Sequence, residues 1–247
     1  MYAIIGGSGL ARLSALVAPR RQVMRTPYGE PSGALTFGKL AGRDVVFLAR
    51  HGYGHTIAPH DINYRANIAA LRELKVEGIF AVATVGAIRA DLAPSALVVP
   101  HQIIDYTHSR KSTFFEGADV AVTHIDFTEP YSARLRQRLL DAATACGEAV
   151  ADGAVYACTQ GPRLETAAEI DRLERDGADL VGMTGMPEAA LAREAGLDYA
   201  TLAVVVNHAA GRGDSRREVK LADLDAVMRA TMVRGVRLLE HAVGDGA

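Results

Sequence analysis

A glycine-rich segment near the start of this 247-residue chain could bind an anion. Gly6-Gly7-Ser8-Gly9 predicts a tight turn in which backbone N–H groups can approach an anion and the Ser8 hydroxyl adds a donor. It is not a dinucleotide fingerprint, because Arg12 stands at the third glycine position, and it is not a P-loop, because no Gly-Lys-Ser/Thr follows. Alone, the segment fits a structural turn as well as an anion site.

Four other side chains that suit an oxyanion lie near the ends of apolar runs. Arg50 is a forked donor for phosphate or carboxylate, and His51 follows it. A structural acidic partner for Arg50 is the alternative, because a buried cation is costly unless it is paired. Thr84 and Thr184 add two hydroxyl donors. Together with the glycine turn, these residues predict a cationic cradle for one tetrahedral oxyanion.

A second group of polar residues could contact an organic ligand. Glu165 lies in the segment Gly-Pro-Arg-Leu-Glu-Thr, just before a predicted helix. An acidic residue in a first helical turn is also favoured by the helix dipole, so a structural role stays open. Asn207 and His208 follow the apolar run that ends at Val206.

The sequence carries no pattern for a metal site or a disulfide framework. Cys146 and Cys158 form no CxxC motif and have no zinc spacing. His51, His55 and His60 are close together but have no carboxylate at a fixed spacing. We therefore expect no metal, and reduced, buried cysteines.

The elements that must position these residues alternate along the chain. Short apolar runs typical of buried strands alternate with amphipathic helical stretches, which predicts a single α/β domain over 1–247 with a mixed, mostly parallel twisted sheet covered by helices on both faces. Such sheets bind ligands at the carboxyl ends of their strands, where the polar residues stand. The predicted strands are 3–5, 45–49, 79–85, 96–99, 154–158 and 199–206, and the predicted helices are 62–74, 132–146, 166–176, 187–195 and 221–243.

Composition excludes several other classes of protein. With 27 basic and 29 acidic residues the net charge is −2, and aromatic residues make up 6% with no Trp, so we expect no nucleic-acid partner. No apolar run is long enough to cross a membrane. The first residues lack the basic start of a signal peptide, so a cytoplasmic location is expected.

The order of the motifs resembles the trimeric family of purine nucleoside phosphorylases and 5'-methylthioadenosine phosphorylases. The resemblance covers about residues 3–240 and is most specific around Arg50-His51 and in the stretch 182–196. It is carried by IIGGSGL, LARHGYGHTIAPHDINYRANIAAL, VATVGAIR, TQGPRLETAAEI, GADLVGMTGMPEAALAREAGL and VVVNHAAG.

The resemblance implies a role for each site residue. The residues implied to bind phosphate are Ser8, Arg50, His51, Thr84, Val85 and Thr184. The residues implied to contact the nucleoside are Met183, Asn207, His208 and Ala209, with Asn207 and His51 as the catalytic pair. The implied reaction is attack of phosphate on C1' of a purine nucleoside, with inorganic phosphate as co-substrate and no cofactor.

Two positions are expected to select the base. In the family, 6-oxopurine enzymes carry Glu and Asn where methylthioadenosine enzymes carry Ser and the first Asp of Asp-x-Asp. This chain has Glu165 and Asn207, with Ala209 at the second Asp position. A carboxylate only accepts hydrogen bonds, so Glu165 suits the N1–H of hypoxanthine and would oppose the N1 lone pair of adenine.

The sugar end resembles the methylthio branch of the family. Inosine enzymes place a His near the 5'-hydroxyl, whereas the segment 213–224 has no His and offers Val219 as an apolar neighbour of a 5'-methylthio group. The combination predicts phosphorolysis of S-methyl-5'-thioinosine to hypoxanthine and 5-methylthioribose 1-phosphate. The alternatives are an inosine/guanosine phosphorylase, a methylthioadenosine phosphorylase with a relaxed base site, and a non-catalytic nucleoside-binding protein.

The resemblance also implies an oligomer. A homotrimer, or a dimer of trimers, is expected, with a residue of the neighbouring subunit closing the sugar pocket. The segment from Phe114-Phe115 to His124 is the candidate for that residue.

Overall fold

The computed structural model describes residues 1–244, apart from the side chain of residue 223; positions 245–247 of the predicted domain lie outside the described residues. The strands are β1 (Tyr2–Gly6), β2 (Val17–Gln22), β3 (Leu35–Leu40), β4 (Arg43–Ala49), β5 (Ile79–Ala87), β6 (Leu97–Val99), β7 (Gln102–Asp105), β8 (Val150–Asp152), β9 (Val155–Cys158), β10 (Leu180–Gly182) and β11 (Tyr199–His208). The helices are α1 (Tyr64–Glu73), α2 (Ala133–Cys146), α3 (Ala167–Arg175), α4 (Glu188–Glu194) and α5 (Leu221–Val243), with a short 3-10 turn at Gly213–Ser215.

The described strands form one mixed sheet. Its main path runs β2-β3-β4-β1-β5-β10-β9-β7, with β11 paired to the other edge of β5 and leading through β6 to β8. The pairs of β1 with β4 and β5, and of β5 with β11, are parallel. The predicted mostly parallel sheet is therefore confirmed, and the ends of β4, β1, β5 and β11 lie side by side.

Alternation along the central strands explains why helices cover both faces. Tyr2 and Ile4 of β1 pack in a core that includes residues of α2 and α5. Ala3 and Ile5 pack in a second core that includes residues of α1 and α4. Because successive strand residues point to opposite faces, both sets are buried, and each large apolar side chain contributes roughly 1.5–3 kcal/mol.

The predicted helix ends coincide with capping residues. Ser132 caps α2 by accepting from the N–H of Leu135, and Gly147 ends the helix in the left-handed region at φ 71°. Thr166 and Glu169 form a reciprocal capping box at α3. This box fixes the start of α3 directly after Glu165.

Five strands lie outside the predicted set, and one of them, β10, is the three-residue strand that precedes Met183. Strand β2 is exposed along its whole length at the edge of the sheet, so it has no apolar run to mark it. Strands β3, β7 and β8 are short or mixed in polarity. They extend the sheet away from the ends of β1, β4 and β5 and do not alter the predicted architecture.

Within residues 1–244, no helix is both long enough and apolar enough to cross a membrane.

Candidate active site

One cavity at the ends of the central strands collects almost all of the predicted site residues. Each of the strands β4, β1, β5 and β11, or the turn that directly follows it, supplies lining residues of this cavity. The predicted residues among its lining are Ser8, Arg50, His51, Thr84, Val85, Glu165, Met183, Thr184, Asn207, Ala209 and Val219.

The glycine turn and Arg50 form one end of the cavity. The backbone N–H of Arg50 donates to the Gly6 carbonyl at 2.9 Å, which joins the end of β4 to the turn after β1. A Cβ on Gly7 would lie 2.6 Å from the Val82 carbonyl oxygen and 2.9 Å from Nη1 of Arg50. Only glycine therefore lets the turn approach the guanidinium so closely. The glycine turn and Arg50, which the sequence offered as two separate candidates for binding an anion, therefore lie at the same end of the cavity.

Arg50 is paired as well as placed at the cavity. Its Nε and Nη2 donate to Oε2 and Oε1 of Glu188, both at 2.7 Å, and its Nη1 donates to the Val82 carbonyl at 2.8 Å. Both partners of the pair are buried, with Arg50 1% and Glu188 0% exposed. The structural acidic partner considered from the sequence exists, and the expected cationic character of the cradle is largely offset by it.

His51 lies beside Arg50 in its neutral form. Burial lowers its pKa to about 4, and the neighbouring charge of Arg50 and the ring of His55 act in the same direction, although the hydrogen bond to Ile57 opposes them. Nδ1 lies 2.8 Å from the Ile57 carbonyl, so this nitrogen carries the proton and donates. At neutral pH, Nε2 is therefore left as an acceptor.

Met183 and Thr184 follow β10 and are held against a buried tyrosine. The Thr184 N–H donates to the hydroxyl of Tyr156 at 3.3 Å. A Cβ on Gly182 or Gly185 would lie 2.3 or 2.6 Å from atoms of the Tyr156 side chain, so this backbone lies directly on the ring. The close packing fixes where the Met183 and Thr184 side chains enter the cavity.

Glu165 is oriented by a residue that the sequence analysis missed. The Thr159 hydroxyl donates to Oε1 of Glu165 at 2.7 Å, which leaves Oε2 as a free acceptor. Thr159 follows β9 directly. The rule that polar residues at strand ends mark the site would have found it, because the apolar run 154–158 was already recognised.

A register shift at the end of β11 directs Asn207. The pairing with β5 skips Val206, so that Val205 faces Val85 and Asn207 faces Gly86. Such a bulge re-aims the side chains that follow it. Nδ2 of Asn207 donates to the His208 carbonyl at 2.6 Å, which leaves one amide N–H and the Oδ1 acceptor available.

His208 is the predicted site residue that lies outside this cavity. It lines a neighbouring cavity instead, where its ring packs on Gly213. Its Nδ1 accepts from the backbone N–H of Asp214 at 3.4 Å. The bulge explains the difference, because successive side chains of an extended strand point to opposite sides and Asn207 is the one that faces the cavity.

Arg110 joins the loops on two sides of the cavity and was also missed. Its Nη1 donates to the carbonyls of Met183 and Met186 at 2.9 and 2.6 Å. Its Nη2 donates to the carbonyls of Gln160 and Thr159 at 2.8 and 3.3 Å. One guanidinium thus ties the loop that carries Glu165 to the loop that carries Met183. Arg110 follows no apolar run, so no sequence signal marked it.

The remaining part of the cavity is apolar. Leu164, Val219 and Leu224 line it beside Glu165. Val219 lies in the irregular segment before α5, and its side chain is half-buried.

The segment proposed to reach a neighbouring subunit is divided by the structure. Phe114 is buried in its own chain, where its ring lies 4.9 Å from that of Tyr28 and its N–H donates to Glu194 at 2.7 Å. Phe114 therefore packs within its own subunit. Residues 116–124, which include His124, are exposed.

The described residues contain no group of side chains that could act as a metal site. Among residues 1–244, apart from the side chain of residue 223, no three His, Cys, Asp or Glu side chains are grouped so that they could hold an ion.

The fold and the cavity define a nucleoside phosphorylase type of enzyme, and the comparisons agree. The model of the Phosphorylase superfamily matches residues 1–243, so the chain belongs to that family. A relative from Pseudomonas syringae pv. tomato, named "Probable S-methyl-5'-thioinosine phosphorylase", is 54% identical over 94% of both chains. The 6-oxopurine nucleoside phosphorylase of Pyrococcus furiosus is 48% identical over 85% of this chain and 80% of its own.

Solved structures share the fold over nearly the whole chain. The methylthioadenosine phosphorylase of Schistosoma mansoni in complex with adenine superposes with a TM-score of 0.90 at 33% identity, covering 98% of this chain and 90% of that one. A methylthioadenosine phosphorylase from an antarctic soil metagenomic library gives 0.89 at 39% identity, covering 98% and 84%. The predicted fold and family are thereby confirmed.

Proposed function

We propose that this enzyme catalyses the phosphorolysis of S-methyl-5'-thioinosine, which releases hypoxanthine and 5-methylthioribose 1-phosphate. The observation that carries the proposal is the presence, in one cavity, of an oriented carboxylate and a carboxamide together with a cluster of anion donors. Relatives named for this reaction support it. The reaction needs no cofactor, because inorganic phosphate is itself the second substrate.

Phosphate is assigned to the end of the cavity formed by the glycine turn. Ser8, Thr84 and Thr184 offer hydroxyl donors there, and Val85 follows Thr84 in the same wall. Arg50 keeps one N–H on each terminal nitrogen, because three of its five donors are used by Glu188 and Val82. Nε2 of His51 can accept the remaining proton of a hydrogen phosphate ion. Holding the nucleophile in this way lowers the entropic part of the barrier.

Base recognition is assigned to Glu165 and Asn207. The free Oε2 of Glu165 accepts from N1–H of hypoxanthine, and the free amide N–H of Asn207 donates to O6 or N7. Donation to N7 helps the purine to leave with the electrons of the glycosidic bond. An adenine nucleoside would leave these groups mismatched at ~1–3 kcal/mol each, which amounts to roughly a hundredfold discrimination.

The sugar is assigned to the middle of the cavity. Met183 provides an apolar contact for it, and the anion below C1' stabilises the positive charge of the oxocarbenium-like transition state. The 5'-methylthio group is assigned to Val219 and Leu224. His51 is the one histidine among the described lining residues. Its Nδ1 is bound to Ile57 and its Nε2 is assigned to phosphate, so a 5'-hydroxyl gains no histidine partner there.

A 6-oxopurine nucleoside phosphorylase that prefers inosine or guanosine is the second candidate. Relatives with that name, at 47% and 48% identity, favour it. The two candidates share the base site and differ only at the 5' position of the sugar.

The proposal extends to the assembly and the location of the enzyme. We place it in the cytoplasm as a homotrimer, or a dimer of trimers, in which the exposed segment 116–124 is available to a neighbouring subunit. Size-exclusion chromatography with light scattering tests this, and a monomer at working concentration would contradict it.

One panel of assays tests the proposed reaction. Methylthioinosine, methylthioadenosine and inosine are compared by kcat/KM, each with and without phosphate. We expect the fastest turnover for methylthioinosine, and only with phosphate. Faster methylthioadenosine would overturn the base assignment, faster inosine would overturn the 5' assignment, and equal turnover without phosphate would overturn phosphorolysis. Binding of all three without turnover would indicate a nucleoside-binding protein.

A further inference from the structure

Glu188 touches no surface of the cavity described above, yet it determines the charge there. It begins α4, four residues after Thr184, and its fully buried carboxylate contacts Nε and Nη2 of Arg50 without lining the cavity. Both of its oxygens are engaged: Oε2 accepts from Nε of Arg50, and Oε1 accepts from Nη2 of Arg50 and from the Tyr199 hydroxyl at 2.8 Å.

The charges around the anion end of the cavity therefore cancel. Arg50 contributes one positive charge and Glu188 one negative charge at a bidentate contact. His51 is neutral at pH 7. The other donors there, Ser8 and Thr84 among them, are uncharged. The anion is met by N–H and O–H dipoles and by almost no net charge.

A cradle without net charge affects the ground state and the transition state differently. A phosphate dianion bound by a net cation is stabilised before reaction and attacks less readily. In a neutral cradle its charge stays uncompensated until the sugar becomes positive, so the attraction appears mainly in the transition state. Interactions of that kind raise kcat, whereas ground-state binding lowers KM alone.

We propose that Glu188 is a positioning residue that acts through Arg50 and keeps the net charge of the phosphate cradle near zero. The neutral cradle weakens phosphate binding in the ground state and raises kcat. The turnover part of this inference rests on the proposed function. The binding part concerns phosphate and this chain alone.

The Glu188→Gln variant removes the compensating charge, and Glu188→Asp is the matched control that keeps it. Inorganic phosphate is titrated into each variant without nucleoside by calorimetry. We expect Glu188→Gln to bind phosphate about tenfold more tightly than the natural enzyme, because an uncompensated buried cation attracts the dianion. Its kcat with saturating substrates is expected to fall at least tenfold. Glu188→Asp is expected to show no tighter binding.

Because breaking a buried ion pair is strongly destabilising, Glu188→Gln is also examined by its melting temperature in rising phosphate. Tighter binding predicts a larger phosphate-induced rise than in the natural enzyme. The double variant Arg50→Met/Glu188→Gln removes both charges at once, which is far less damaging than removing one. We expect it to bind phosphate more weakly than the natural enzyme, because two N–H donors to the anion are lost and no uncompensated cation is left to attract it.

These measurements separate this inference from the proposed function. A natural enzyme that binds no phosphate refutes phosphorolysis. If the natural enzyme binds phosphate, two results overturn only the role of Glu188: a Glu188→Gln variant that gains no affinity and no larger melting shift, or a double variant that binds phosphate as tightly as Glu188→Gln does.

Discussion

Replacing Thr159 with valine isolates the orientation of the base-reading carboxylate. The change keeps the shape of the side chain and deletes the hydroxyl that donates to Oε1 of Glu165 at 2.7 Å. A hydrogen bond to a charged group contributes roughly 1.5–3 kcal/mol. Since each 1.4 kcal/mol is a factor of about ten, we expect kcat/KM for methylthioinosine to fall ~10–100-fold.

The same substitution should reduce selectivity, which a loss of folding would not do. Methylthioadenosine gains nothing from a well-aimed Glu165, so its kcat/KM should change by less than about threefold. The ratio of the two kcat/KM values, measured by release of hypoxanthine and adenine, should therefore fall by nearly the whole factor.

Thr113→Val is the matched control, because Thr113 also donates to a glutamate, Oε1 of Glu194, at 2.7 Å but outside the cavity. Its selectivity should equal that of the natural enzyme. An unchanged ratio in Thr159→Val, or equal losses on both nucleosides, would refute the assignment of Thr159 and Glu165 to base recognition.

Three further predictions concern other parts of the site. In Arg110→Lys, the lysine cannot reach all four loop carbonyls that Arg110 contacts. KM for the nucleoside should therefore rise about tenfold while phosphate affinity changes less than twofold. An equal effect on both ligands would contradict this role of Arg110. Ser8→Ala should weaken phosphate binding several-fold and leave hypoxanthine binding unchanged in calorimetry, whereas weaker hypoxanthine binding would move Ser8 out of the phosphate end. His51 binds its proton more weakly in the folded than in the unfolded chain, so folding stability should fall by up to about 3 kcal/mol as the pH drops from 6.5 to about 4. Urea unfolding of His51→Gln should show a smaller loss over that interval, and an equal loss would contradict it.

The architecture and most of the site were predictable because they follow from local patterns. Apolar runs marked the central strands, and amphipathic stretches marked the helices, whose predicted starts at Ser132 and Thr166 are the capping residues of α2 and α3. Since parallel strands bring their carboxyl ends together, residues at those ends were expected to meet, and Ser8, Arg50 and Asn207 do line one cavity.

What the sequence did not predict depends on contacts between distant residues. The pairing of Arg50 with Glu188 spans 138 positions, and the loop contacts of Arg110 depend on how several chain segments fold back. The outward position of His208 follows from a register shift in β11, which no residue pattern revealed. Strand β2 lacked a signal because it is an exposed edge.

A crystal structure of the enzyme with hypoxanthine and phosphate would show how the base and the anion are bound. We expect Oε2 of Glu165 within hydrogen-bond distance of N1, the Asn207 amide facing O6 or N7, and phosphate in contact with Arg50 and Ser8. A purine bound with its N1 edge away from Glu165, or a phosphate that avoids Arg50, would contradict it.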